Sequence, residues 1–476
     1  MRHLRLLALL APVALLPIVA CEDSSGSSSG GVFSPEAGPG FEAGPTPTPE
    51  AGPLPDGALP DTSTAPLGVT VTVFDGSAPQ KDVRVIFHDA AGLVTGQALT
   101  DVAGKVTVAI APSMVTVLQK DSSQRPAVVT FAGVTDGDKL KVVSGGFGVN
   151  AGAYGVTFTG GGVVANASNF FVQAGNGCSA GTNAVDATVS VPLSTDCVAA
   201  KNAVLATASD GAGVVGFGFA KNVDAPVAAA TVAVGPLAFI APGTTNVKAT
   251  NLPSAGGVSS GATLSAISNG QAFGLSNYTG TLGGAGLDFA TPTGFADGYQ
   301  TVIRATQVAF SFADTALVRR EATTAPASAS LASFDFATAL PFITNVTASQ
   351  AVPARPDLTL TSGNAASLAT ADAGIVRVSW FVSAIDTSGS WTLVVPPSTT
   401  SFKFPALPAD ATDFEPVTNS FAVDSASFFD ASQLPSYGAA KLLPIKPGFG
   451  LDFVESNRVL PAAGTLRVSR FTPNAG

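Results

Sequence analysis

Valine and threonine alternate where the body of this chain begins, with Val69, Val71 and Val73 set against Thr70 and Thr72. A period of two sends successive side chains to opposite faces of an extended strand, and β-branched residues fit that pleated surface. The same rule runs through Val83–His88, Lys105–Ile110, Val115–Val117 and Thr465–Phe471, each bounded by Gly, Asp or Pro. Runs of this kind read as half-buried strands. Charged residues make up 12% of the chain, too few for surface helices built from Glu and Lys. The expected class is all-β, with two to three tandem β-sandwich domains. The Ala-rich stretch 198–208 breaks the pattern and is compatible with a short helix.

The N-terminus has a different character. Arg2 and Arg5 precede an uncharged run, Leu6–Ala20, interrupted by Pro12 and Pro17. That is shorter than the roughly 20 residues a membrane span needs, and it has the layout of a signal peptide over residues 1–20. The run closes on Ile18-Val19-Ala20-Cys21, which resembles a bacterial lipobox. The resemblance implies cleavage before Cys21, a diacylglyceryl group on its sulfur and acylation of the freed amine. An ordinary secretory signal with an incidental cysteine is the alternative. Two or more acyl chains hold a protein on a membrane where one is marginal. Residues 21–66 then carry nine prolines, three copies of Glu-Ala-Gly-Pro and no Lys or Arg. A stretch with so little to bury cannot offset its ordering entropy, so it reads as a disordered tether.

Three blocks follow. In residues 67–143 the strands are punctuated by Asp75-Gly76, by Asp89 to Gly92 and by Thr100-Asp101-Val102-Ala103-Gly104. Together with "Ala-Pro…Val-Arg-Val" after the first turn, this resembles the carboxypeptidase-regulatory-like, transthyretin-like β-sandwich family. That resemblance implies a structural module with no catalytic residues, and an Ig-like or transthyretin-like form for the sandwiches. Residues 144–340 are rich in Gly, Ala and Val and contain Cys178 and Cys197. In an exported chain such a pair favours a disulfide, with two free thiols or a metal site as alternatives. Residues 341–476 hold both tryptophans, Trp380 and Trp391, either as core residues or as an exposed platform on which a sugar ring could stack. Phe402–Pro408 reads as an edge strand stopped by proline. The whole layout resembles surface lipoproteins of high-GC, myxobacteria-like Gram-negatives, which places the chain in the cell envelope, at the outer membrane or cell surface.

Histidine limits the chemistry. Only His3 and His88 exist, and His3 belongs to the leader. A Ser-His-Asp triad would have to use His88 as its base. Gly257-Val-Ser259-Ser-Gly261 matches the nucleophile-elbow pattern, but so does Gly26-Ser-Ser28-Ser-Gly30 in the tether, and an elbow needs a strand-to-helix turn. His88 therefore reads as an ordinary polar strand residue. A glycosidase needs two facing carboxylates, and no pair is marked. Asp136-Gly137-Asp138 reads as a turn, with a contribution to a Ca²⁺ site as the alternative. The Gly-rich stretch 145–162 lacks the ending of a phosphate loop, so no cofactor or metal is expected. Residues 67–476 carry 21 basic and 26 acidic side chains without a basic patch, which argues against nucleic-acid binding. The expected protein is non-catalytic, held to a membrane through its N-terminal lipid, with a glycan or protein ligand left open. The alternatives are a carboxylate-based hydrolase and an accessory subunit of an envelope complex.

Overall fold

The alternating strands assemble into one long sheet and four smaller ones. The computed structural model describes residues 67–473 apart from 110–111, 122, 146–149, 161, 185–186, 196, 228–229, 254–256, 281, 283–284, 309–310, 323–331, 350–354, 363–367, 383–386, 417–420, 448–459 and 461. The leader, the lipobox residues Ile18, Val19 and Ala20, Cys21 and the tether lie outside the described residues. Among the described residues regular structure is almost all strand, with three short 3-10 turns and one short helix, Tyr437–Ala440. The chain is an all-β protein.

The long sheet has twelve strands. From one edge to the other they are Gln271–Gly280, Val258–Ser268, Gly298–Val308, Ser311–Glu321, Gly464–Pro473, Phe421–Ala431, Ala373–Val382, Thr387–Val395, Pro126–Ala132, Met114–Lys120, Arg84–His88 and Val94–Leu99. All three blocks contribute strands to it. The N-terminal block joins the C-terminal one through a parallel ladder, Ser390 opposite Ala127 through Val394 opposite Phe131. The middle block joins through Ser311–Glu321 against Gly464–Pro473. Neither the 143/144 nor the 340/341 boundary is therefore a gap between sheets.

Smaller sheets cover this long one and complete the sandwiches. Val69–Asp75, Ala78–Pro79, Lys105–Val108 and Lys139–Ser144 form a four-stranded sheet. Val69, Val71 and Val73 from it pack against Val85, Phe87, Val115, Val117 and Phe131 of the long sheet. The opposite face sends Ile86, Leu118, Val128, Trp391 and Phe428 into a second core with Ile343, Val346, Leu358, Leu360 and Phe402. The cover there is the three-stranded sheet of Ile343–Ser349, Asp357–Ser362 and Ser401–Lys403, in which the last is an edge strand. A third cover, Gly243–Thr250, Leu287–Thr291 and Ala332–Asp335, packs near the other end. The central strands are thus buried on both faces, and Met114–Lys120 shows five consecutive buried residues where alternation alone predicts every second one.

A seven-stranded sheet, residues 150–240 with both ends curling around one core, holds Tyr154, Val156, Phe170, Val172, Val191 and Val204 inside. It corrects one expectation. The Ala-rich stretch is strand Lys201–Ser209, not helix. Ala203 and Leu205 enter the core shared with the long sheet, and Val204, Ala206 and Ala208 enter the sheet's own core. Small side chains suit a strand pressed between two layers, and lateral pairing satisfies its backbone.

The disulfide pairs Cys178 with Cys197, with Cα atoms 5.9 Å apart and a sequence separation of 19. Closing a loop of that size restricts the unfolded chain by about 3 kcal/mol. Replacing both cysteines by alanine should lower unfolding free energy by about that amount in urea titrations. A change under about 1 kcal/mol would show that the bridge adds little to an already ordered loop.

Local turns follow the residues that announced them. Asp101 Oδ1 accepts from Ala103 N (2.8 Å) and Lys105 N (2.9 Å). Gly104 sits at φ +69°, and a Cβ there would lie 2.5 Å from the Val73 carbonyl oxygen. The Thr-Asp-x-x-Gly motif is thus a capped turn whose last position admits only glycine.

Candidate functional site

The polar groups best placed to do something lie at the seam where the N-terminal and C-terminal blocks share the long sheet. His88, Thr116 and Thr130 stand on three adjacent strands and point into the core beneath Ile343–Ser349. His88 Nε2 is 2.9 Å from Thr116 Oγ1, which is 2.8 Å from Thr130 Oγ1. Trp391 Nε1 donates to that Thr130 oxygen at 2.9 Å. This chain of hydrogen bonds crosses the parallel ladder and joins the two blocks. His88 is fully buried, and its Nδ1 has no hydrogen-bond partner. Burial lowers its pKa to about 4; the Arg355 guanidinium pushes the same way and Asp89 opposes. The His88 ring is fully buried, so no ligand at the surface touches it.

The two tryptophans are core residues, so of the two readings of Trp380 and Trp391 the core one holds and the stacking platform does not. Trp391 is fully buried and meets Phe404 edge-on at a centroid distance of 4.9 Å. Trp380 is 3% exposed and lies across Gly389, its cross-strand neighbour. A Cβ at Gly389 would come within 2.2 Å of the indole. The third layer explains both: the face that carries them is covered by a sheet, so no ring remains for a ligand.

A second constellation escaped the sequence. Lys441 is buried directly after the short helix and donates to Gly133 O (2.9 Å), Thr135 Oγ1 (3.2 Å) and Asp138 Oδ2 (2.5 Å). Tyr437, one turn earlier, donates to Ala132 O (2.5 Å) and lies near Val394 O (3.2 Å). Burial, with Asp138 adding to it, drives the Tyr437 phenol well above its ordinary range. The Asp136-Gly-Asp138 segment is a turn in which both carboxylates take protein donors. Asp136 accepts from Leu67 N (3.1 Å) and Gly68 N (2.7 Å), and Asp138 takes Lys441 and Thr135 N. Lys441 follows an unremarkable Tyr-Gly-Ala-Ala run, and only its rarity in an apolar context could have singled it out.

The remaining candidates do not converge. Ser259 lies inside strand Val258–Ser268, with no strand-to-helix turn, and its hydroxyl reaches Thr306 O at 3.5 Å. Its strand is the second of the long sheet and that of His88 the eleventh, so roughly 40 Å of sheet separates them. Asp372 lies close enough to Asp430 for the two carboxylates to act on each other. Asp372 accepts Ala431 N at 2.7 Å, its carboxyl raised by burial and then by Asp430, and Asp430 is engaged by Arg467. Asp314 bridges Arg304 (3.1 Å) and Arg470 (3.2 Å). A surface groove by Gly464 and Thr465 is bordered by Arg319, paired with Glu321, and by Arg320, which donates to Leu460 O. No helix among the described residues is long and apolar enough to cross a membrane.

No family model matches the chain. No curated protein matches it either. Among solved structures it shows 11% identity to the FN1–FN3 domains of chicken CNTN1, over 59% of this chain and 94% of that one, with a TM-score of 0.13. A tetra-tandem repeat from the extending region of a large adhesion protein gives 11% identity over 76% and 95% of the two chains, with a TM-score of 0.11. Native alpha-2-macroglobulin of E. coli gives 9% identity over 75% of this chain and 26% of that one, with a TM-score of 0.11. At scores this low the likenesses carry no conclusion about architecture or activity.

Proposed function

We propose that this chain is a non-catalytic protein of the cell envelope, anchored at Cys21 by lipid and displaying a β-sandwich body for structural, adhesive or ligand-binding work. The observation that carries the reading is the uncharged run Leu6–Ala20 ending in Ile18-Val19-Ala20-Cys21. The acidic, proline-rich stretch 22–66 supports it as a spacer between membrane and body. The capped Thr-Asp-x-x-Gly turn is consistent with a carboxypeptidase-regulatory-like module over residues 67–143. The engagement of His88, Trp391, Asp138 and Asp314 in buried structural bonds supports a body built for display rather than turnover. Metabolic labelling with a palmitate analogue tests the anchor. Wild-type protein should be labelled and Cys21→Ala should not; equal labelling of the two would end the reading.

A further inference from the structure

The two edges of the long sheet are treated differently. At one end, strand Gln271–Gly280 is closed by side chains: Gln173 Oε1 accepts Gly274 N (2.8 Å), Gln173 Nε2 donates to Gly274 O (2.7 Å), and Asn176 Oδ1 accepts Ala272 N (3.1 Å). Elsewhere the edge strands Ala78–Pro79 and Val189–Ser194 contain Pro79 and Pro192, residues that blunt an edge because they cannot donate to a ladder. The other end of the long sheet, Val94–Leu99, has neither device over Gly96–Leu99; its one irregularity is a bulge at Thr95, where the pairing shifts from Gly96 to Val94.

Its pairing shows which groups point outward. Thr100 N donates to Val83 O at 3.0 Å, and Ala98 and Gly96 stand opposite Val85 and Phe87. Antiparallel pairs alternate, so Ala98 and Gly96 bond inward, while Gln97 and Leu99 turn N–H and C=O away from the sheet. Among the described residues nothing is bonded to those outward groups. Leu93, Val94, Leu99 and Val102 are exposed along the same edge at 52%, 39%, 55% and 77%. No residue from Ala90 through Thr100 carries a charge.

We propose that this edge pairs antiparallel with the same edge of a second copy of the chain, with Gln97 on the dyad. Gln97 then faces Gln97 of the second copy, and Ala98 of each copy faces Gly96 of the other, within the regular part of the strand. An even register of this kind keeps each side chain on its own face of the combined sheet. Charge favours a second copy as occupant. A dyad sets each group beside its own equivalent, so like charges would repel, and this edge carries none. Closure at the far edge stops growth at two, which gives an isologous dimer rather than a fibre.

Sedimentation of the full chain tests the pairing. Wild type should dimerise with rising concentration. Gln97→Pro removes an N–H that points away from its own sheet, and Gln97→Lys places two ammonium groups across the dyad. Both variants should sediment as monomers with an unchanged far-UV spectrum. A wild type that stays monomeric up to its solubility limit overturns the proposal. So does a Gln97→Lys variant that folds and dimerises as strongly as wild type, an outcome that decides the matter even where the proline variant fails to fold.

Discussion

Lys441→Ala should destabilise the protein by about 3–5 kcal/mol, because it leaves the Asp138 carboxylate buried and unpaired. Lys441 and Asp138 are 2% and 9% exposed, and the ammonium has three acceptors around it, two of them on the N-terminal block next to Asp138. Bringing both charges out of water costs several kcal/mol per ion and is offset only while the pair is complete. Lys441→Met combined with Asp138→Leu should therefore recover most of the loss, since an apolar pair of similar volume needs no compensation. Urea unfolding of the two variants decides it. A loss below about 1 kcal/mol for Lys441→Ala would show that water reaches the site.

Acidification should destabilise the fold between about pH 6.5 and pH 4 through His88. Its ordinary value of 6.5 is lowered to about 4 in the folded protein. In that window the unfolded chain binds a proton on this imidazole and the folded chain does not, so stability falls as pH falls. The contribution is complete above 6.5 and is lost by about 4, amounting to about 3 kcal/mol at most. Asp372 and Glu415, whose carboxyls burial raises, act with the opposite sign. Comparison with His88→Gln isolates the imidazole, because glutamine keeps a polar atom facing Thr116 and does not titrate. The wild-type curve should drop relative to the variant across that window. Parallel curves would mean that Nδ1 finds water and the ring titrates freely.

The legible part of the molecule was local. Alternation marked Val69–Asp75, Arg84–His88, Met114–Lys120 and Gly464–Pro473 as strands, and Asp101 with Gly104 marked their turn, because each depends on neighbours a few residues away. Cys178 and Cys197 could be proposed as a pair because the one other cysteine, Cys21, closes the lipobox-like run. The Ala-rich strand Lys201–Ser209 misled because alanine favours helix in isolation, whereas here it fills the narrow space between two cores.

For the seam the sequence offered almost nothing. Thr116, Thr130 and His88 occupy the positions that alternation assigns to solvent, and a one-layer reading makes them ordinary surface groups. They are buried because Ile343–Ser349 and its neighbours, more than two hundred residues later, close over that face. The same closure withdraws Trp380 and Trp391 from any ligand, while Lys441 reaches Asp138 on the opposite face, beside Ala440 and Leu140 of the other core.

The sequence by itself determined that this chain forms strands and where many of them turn, and it favoured the Cys178–Cys197 bond that the structure contains. Only the tertiary structure decided which faces meet water, because a period of two specifies two faces but not how many layers will cover them.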